Sequence, residues 1–484
     1  MGLSSSLSNA LSGLTAASRA AEIVSANVSN AMTEGYGRRE LVVTSSSLGG
    51  SGGGVAVQGV VRSVDQHTIG ERRLTDAALG WSGAGTAFFE SLEVAIGLPD
   101  DPASLTGRTS QLEAALLEAA SRPDSAPRLD AILTAAKGLA DHINYASDQI
   151  QNLRMDADRE IGRQVDTLND SLTKIADLNY EIRVQLGGGN DATGLMDQRQ
   201  QLIDSVSSIV PLREVPRGNG QIALYTTGGA ILLDGKPAEI PFTPVGVIVP
   251  EMTQTSGGLS GLQINGQAIS TTQSSPLAGG SLIGSFAVRD DYAPNAQAQL
   301  DAVARDLMER FEDPAVDPTR ASGSVGLFTD AGAALNVANE IGLAGRLQIN
   351  DIVDPTVGGA LWHLRDGLGA TVQGPVGNAV TLQALADALG NPKVPLSGGF
   401  SGAAWSAAGL AGDFISRVNS DLRSAEAGQS FAYAKHDALK TIELRSGVDT
   451  DQEMQHLLLI ERAYSANARV ISTVDDMIQT LLGI

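Results

Sequence analysis

The chain has 484 residues, with 33 Lys and Arg against 55 Asp and Glu and a formal net charge of −22. Its length allows several domains with sizeable cores, and so acidic a surface repels phosphate backbones and argues against nucleic-acid binding. Cysteine is absent, which removes disulfides, thiolate catalysis and Cys-ligated metals.

At the N-terminus, Leu3, Leu7, Ala10, Leu14, Ala17, Ala21, Val24, Val28 and Ala31 recur at spacings of three and four, predicting an amphipathic helix over 4–31 that stops near Gly35 and Gly37. Ser4, Ser5, Ser6 and Ser8 break the apolar core a cleaved signal peptide would need, and an 18-residue apolar run for a membrane span is missing. Strand character follows at 39–44 and 55–64. Between them, Gly49, Gly50, Gly52, Gly53 and Gly54 are expected to form a flexible loop. It is not a phosphate cradle, since no Gly-Lys-Ser/Thr follows. Helix returns over 68–97.

The longest regular pattern begins at Pro127, a residue that suits a helix start. Leu129, Ile132, Ala136, Leu139, Ile143, Ala146, Ile150, Leu153 and Ala157 form a heptad seam. Ala157, Ile161 and Val165 are then four apart before Leu168, Leu172 and Ile175 restore the rhythm, a stutter that changes the supercoil without ending the helix. A helix over 127–186 is roughly 90 Å long at 1.5 Å per residue, more rod than a compact enzyme needs. Gly187, Gly188 and Gly189 end it. A further helix is expected over 195–210, β-rich stretches over 221–233 and 245–249 with an Asp234-Gly235 turn, helix over 281–311, and helix again over 411–446.

At the other extremity, Leu457, Ile460, Tyr464, Asn467, Ile471, Val474, Ile478 and Leu481 form an a/d seam with one polar member, Asn467. Thr450 and Glu453 read as a capping box after Gly447, with Glu453 on the polar face. An Ala-rich seam at one end and a Leu/Ile-rich seam at the other suit close interdigitation. The expected fold is mainly α with β-rich inserts (α+β), elongated and multidomain, the terminal helices pairing as a coiled coil. The chain nests: 1–65 with 447–484 as a terminal coiled-coil domain; 66–311 with 400–446 as a helical rod domain, β-rich near 212–280; and 312–399 as an inserted α+β outer module. The seams alone fit a monomeric bundle as well as an assembly.

Catalysis finds little support. His67, His142, His363, His436 and His456 are scattered without an H-x-x-x-H pair, and the adjacent carboxylates Asp100-Asp101, Asp290-Asp291 and Asp475-Asp476 do not face one another on a helix. We expect no enzyme, cofactor or metal.

The segment Ser25-Ala26-Asn27-Val28-Ser29-Asn30-Ala31-Met32-Thr33-Glu34-Gly35-Tyr36-Gly37-Arg38 resembles the N-terminal signature of bacterial flagellar axial proteins, usually ANNIANANTPGYSR. Asn27, Asn30, Thr33, Gly35, Tyr36 and Arg38 match it, while Met32 and Glu34 replace the usual Asn and Pro. At the C-terminus, residues 461–473, with Ala466, Asn467 and Arg469, resemble the ending of the same proteins. Leu195-Met196-Asp197-Gln198-Arg199 and residues 323–329 are similar to internal segments of the hook-associated protein 1 family. The resemblance implies a structural subunit joining hook to filament as a ring at the hook tip, with another axial role (second junction protein or flagellin-like subunit) as the alternative. Implied partners are further copies of itself, the hook protein, the second junction protein and a cytoplasmic export chaperone on the C-terminal region, with no nucleic acid and no membrane. Implied too is an extracellular, flagellar location reached by type III export without a cleaved signal peptide. The assembly seam would then comprise Leu3, Leu7, Leu14, Val24 and Val28 with Leu457 to Leu481. Tyr36 and Arg38 would serve either a neighbouring subunit or the packing of their own turn.

Overall fold

The computed structural model describes residues 2–48, 51–400 and 402–483; about 60% of it is helical. Helix α1 (Leu3–Ser29) leads into a long antiparallel hairpin, β1 (Arg38–Leu48) with β2 (Ser51–Ser63). The flexible loop expected over 49–54 is thus a strand from Ser51 onward: Gly52 pairs with Ser47 and Val55 with Ser45, and Gly53 and Gly54 fall in the register shift between those two pairs. Gly49 and Gly50 lie outside the described residues.

Helix α2 (Gln66–Ile96) starts where the Asp65 carboxylate accepts the Thr68 amide. Helix α3 (Leu105–Ser121), capped by Ser104, was not foreseen. Helix α4 (Ala126–Gly187) runs unbroken for 62 residues, and α5 (Thr193–Val206) folds back on it. A four-stranded sheet follows in sequence order: β3 (Leu212–Pro216), β4 (Ile222–Thr226), β5 (Ile231–Asp234) and β6 (Lys236–Pro237). A small hairpin joins β7 (Leu262–Ile264) to β8 (Gln267–Ile269). The strand expected at 245–249 is irregular chain laid along α4. Its Val245 amide donates to Asp158 Oδ2 at 2.6 Å instead of to a ladder, and Pro244 and Pro250 could donate to none.

Helices α6 (Ser281–Ala287) and α7 (Ala293–Phe311) are joined by one π-helical turn, Val288–Tyr292. Residues 312–399 hold β9 (Phe328–Asp330), β10 (Leu347–Ile349), α8 (Trp362–Asp366), α9 (Val380–Gly390) and several 3₁₀ turns. Leu327, Phe328, Leu347, Leu382 and Leu389 from this segment enter the same buried cluster as Leu139, Phe311 and Phe414. Helix α10 (Ala407–Ser446) then lies along α2, and α11 (Thr450–Leu482) lies along α1.

The stutter read from Ala157, Ile161 and Val165 marks a physical seam. One apolar cluster ends on α4 at Ala157 and a second begins at Ile161. Between them sits a buried polar layer. Asp158 and Arg289, both with fully buried side chains, pair at 2.5 Å. Arg154 donates to the carbonyls of Arg289, Val249 and Met252. Arg289 comes from the π turn, whose extra residue swings it toward Asp158 and over the Phe286 ring at 4.8 Å.

Candidate functional site

The terminal helices do pair. Ala17, Val24 and Ile460 form a buried cluster, with Ala20, Ala21, Val28 and Leu457 packed on it. Small α1 positions receive larger α11 side chains. A Cβ on Gly13 would lie 2.8 Å from the Asn467 amide, so Asn467 fits only where α1 offers a glycine. Its Nδ2 donates to the Ala463 carbonyl. Leu3, Leu7, Leu14, Ile471 and Ile478 are half-buried and Val474 is buried, whereas Tyr464 and Leu481 remain 44% and 63% exposed. Two helices cannot cover this much apolar surface: Leu459, Met477 and Leu482 are at least half exposed as well.

Above this seam the signature residues converge on Asn27, which is 1% exposed on the last turns of α1. Its Nδ2 donates to the Arg39 carbonyl at 2.9 Å and to Glu453 Oε2 at 3.2 Å. Its Oδ1 accepts from the Tyr36 hydroxyl at 2.9 Å and the Arg39 amide at 3.0 Å. Two donors and two acceptors are the full capacity of an amide side chain, so Asn27 is completely satisfied and Asp or Leu could not replace it. Arg38 Nε donates to Glu453 Oε1 at 2.7 Å. Burial raises the Tyr36 phenol above its ordinary range, against the Arg39 guanidinium 5.0 Å over its ring.

Between Asn27 and Arg38 the chain turns on itself. The Asn30 side chain donates back to the Ala26 carbonyl, and the Thr33 amide donates to Asn30. Gly35 has φ +76, a left-handed conformation in which a Cβ would also lie 2.6 Å from Gln201 Cγ. Met32 stands 97% exposed, and Glu34 pairs with Lys440 at 3.2 Å. The two departures from the usual signature therefore fall on the outer side of the turn. A second anchor lies beneath it: Asp197 of α5 accepts from the Gly37 amide at 3.0 Å, Arg62 Nε at 2.7 Å and Arg39 Nη2 at 3.1 Å. Asn27 and Asp197 thus clamp the turn from opposite sides.

Several expectations change here. Glu453 is neither on the polar face nor half of a capping box. Asp449 caps α11 by accepting the Asp451 and Gln452 amides, and Glu453 is 1% exposed. The missed signal was spacing, since Glu453 precedes Leu457 by four and Ile460 by seven, which puts it in register with the seam. Within the chain Tyr36 packs its own turn against Asn27, whereas Arg38 reaches out of the turn to Glu453 and Glu40. Ala466 and Arg469 are exposed, and Arg469 makes no ion pair among the described residues, neither with Asp475 nor with Asp476. No helix of the described residues is long and apolar enough to cross a membrane.

Comparison with known proteins gives three matching family models. Residues 91–326 match the flagellar hook-associated protein FlgK helical domain, 444–484 the flagellar basal body rod FlgEFG protein C-terminal family, and 7–36 the flagella basal body rod protein family. Over the full length of both chains, the sequence is 25% identical to flagellar hook-associated protein 1 of Escherichia coli. It is 23% identical to that of Bacillus subtilis over 98% of this chain and 97% of the relative. A 243-residue stretch is 28% identical to the Salmonella typhimurium protein, covering 49% of this chain and 44% of that one. Among solved structures, the flagellar hook junction protein FlgK from Burkholderia pseudomallei matches 54% of this chain and 47% of its own, with a TM-score of 0.44 and 19% identity.

Proposed function

Because the chain belongs to the flagellar hook-associated protein 1 family, we propose that its paired ends are the device by which it is built into the flagellum. It is a structural subunit of the hook–filament junction, assembling with hook and other flagellar axial proteins. In the reading advanced here it forms a ring at the hook tip on which the second junction protein and then flagellin assemble. The seam from Leu3 to Val28 against Leu457 to Leu481 is its assembly interface, and the Asn27–Arg38–Glu453 network fixes the angle at which that seam leaves the helical domain.

The observation that carries this reading is the unfinished seam. Nearly every a/d position of α1 and α11 is at least partly covered inside one chain, yet Tyr464, Leu481 and neighbouring apolar residues stay open to solvent. An apolar helix pair left half covered is an association surface. It is also thin enough to stay unfolded for passage through a narrow export channel and to fold on arrival. A cytoplasmic chaperone on the C-terminal region would shield α11 before export, and no cleaved leader is required by this route. On this reading 1–65 with 447–484 serve assembly and 66–311 with 400–446 form the rod, while 312–399 share the rod's buried core rather than standing apart from it.

The test is a labelled chain followed to purified hooks. The reading expects label confined to the distal hook tip, and a deletion strain with intact hooks that sheds flagellin into the medium. Label along the filament, or hooks already capped by junction proteins in the deletion strain, overturns it in favour of a flagellin-like role.

A further inference from the structure

A cleft of about 500 Å3 opens between the first turns of α2 and the outer strand β3. It shares Met196, Arg199 and Glu214 with a narrower recess of about 130 Å3 reaching Arg62. In a chain whose acidic residues outnumber its basic ones 55 to 33, this cleft reverses the balance: Arg62, Arg73, Arg199, Arg213 and Arg217 line the two spaces against Glu71 and Glu214. Most of these arginines are already neutralised. Arg62 is paired with Asp197, Arg73 with Asp204 and Glu214, and Arg217 with Asp234.

Arg199 and Arg213 are not. Arg199 is 7% exposed and uses only Nη1, on the Asn179 side chain and the Gly220 carbonyl. Burial holds it below the ordinary guanidinium range, and Arg62 and Arg73 push the same way against Glu214. Arg213 is exposed on β3. Among the described residues neither has a carboxylate within ion-pair distance, so the floor and the rim of the cleft each hold a guanidinium with donors free toward the same space.

The complementary feature sits at the other end of the same helix. α2 spans 31 residues, about 45 Å at 1.5 Å per residue. Beyond it, Pro99, Asp100, Asp101 and Pro102 form an exposed turn in which Asp101 Oδ1 accepts the Ala103 amide at 2.8 Å. Neither carboxylate is in an ion pair among the described residues. Resting on the reading that copies of this chain assemble side by side, we propose that the cleft receives the Asp100–Asp101 turn of a second copy, whose carboxylates reach Arg213 and Arg199. Carboxylate and guanidinium pair through two parallel hydrogen bonds, which gives the contact direction as well as charge. Cleft and turn lie at opposite ends of α2, so the contact is head-to-tail, the kind that closes into rings or continues as a helix rather than stopping at a dimer.

The absence of cysteine makes the contact directly testable. A chain carrying Arg213→Cys with Asp100→Cys is assembled into junctions in cells, the hooks are isolated and mildly oxidised, and oligomers are separated without reductant. A ladder from the double variant and none from either single variant is expected. If the double variant does not assemble, Arg217→Cys with Ala103→Cys probes the same juxtaposition. In parallel, Arg213→Glu and Asp100→Lys should each lower junction-bound protein about fivefold, the scale of one exposed ion pair, and the two reversals together should restore it. Filament-bearing junctions that show no ladder, single variants that ladder equally, or charge reversals without effect overturn the contact. None of these outcomes touches the junction reading, which fails only if the unaltered chain is missing from hook tips.

Discussion

Arg38 and Glu453, 415 positions apart in sequence, meet at 2.7 Å, with the Glu453 carboxylate only 1% exposed. The contact makes each end of the chain a condition for docking the other. Glu453 stays buried only if Arg38 and Asn27 are in place, and those two are held only once the signature turn has closed on Gly35. The terminal helix pair is therefore locked at its membership of the helical domain, through Asp197, as well as along its own seam.

Glu453→Gln tests the lock. The substitution keeps the shape but leaves the Arg38 guanidinium facing a neutral amide, and losing a charge-assisted hydrogen bond costs about 1.5–3 kcal/mol. Amide hydrogen exchange in the first turns of α11 should accelerate roughly tenfold or more, while exchange in the middle of α4 stays unchanged. Asn27→Ala should act on the same amides, and the double variant should cost less than the sum of the two, since both disrupt one network.

The seam itself predicts an assembly defect rather than a folding defect. Charges at Leu457, Ile471 and Ile478 would face α1 without partners, and burying an unpaired charge costs several kcal/mol. The helical domain has its own clusters and should keep its melting transition. Residues 1–40 and 450–484 should become the first sites of limited proteolysis, and the protein should reach the medium without forming rings at hook tips. Rings that persist would show that association runs through another surface.

What the sequence made legible follows from periodicity. The seams of α1, α4 and α11 were readable because a long helix repeats its burial pattern many times, and the stutter at Ala157 located the polar layer without naming its members. Glu453, Asp197 and Arg62 were not legible as a group. Each is a charged residue whose burial depends on a partner over a hundred positions away, and no local pattern carries that information. Helix α3 escaped for a different reason: its buried residues Leu105, Thr109, Leu112, Leu116 and Ala119 form a short stripe with one polar member. The strand through Gly52, Gly53 and Gly54 was hidden by composition, since it is held by pairing with β1 on either side of a register shift at Gly53 and Gly54 and not by β propensity.

The layer at the stutter is the place where one atom's change should be felt across the rod domain. Asp158→Asn leaves the fully buried Arg289 without its counter-charge, and removing one partner of a buried pair costs about 3–5 kcal/mol. For a domain of this size that corresponds to a loss of roughly 10 °C in melting temperature. Replacing both partners, Asp158→Leu with Arg289→Met, should recover more than half of the loss. It should not recover all of it, because the Val245 amide and the Ser260 carbonyl lose their partners as well. Calorimetry on the two variants side by side gives the answer.

Asp301 gives a prediction in pH. Its side chain accepts from the Gly342 and Ala344 amides and from Gln297, yet burial dominates and lifts its pKa from 3.8 to about 6. An acid whose folded pKa lies above its unfolded one binds more protons in the folded state across the interval between them, so its contribution to stability falls as pH rises from about 4 to 6. Below that interval the folded carboxyl is neutral and the penalty is absent. Above it the full penalty of a buried carboxylate is present, roughly 2–3 kcal/mol for a shift of this size. Other carboxylates, such as Glu309 beside Lys393 and Arg305, are held low and titrate in the opposite sense, so the whole-protein curve mixes both signs. The difference between the natural chain and Asp301→Asn isolates this group. Denaturant unfolding at pH 4 and pH 7 should show Asp301→Asn destabilising the chain more at pH 4, where the natural residue carries no penalty, and a gap that is equal or reversed would remove Asp301 as its source.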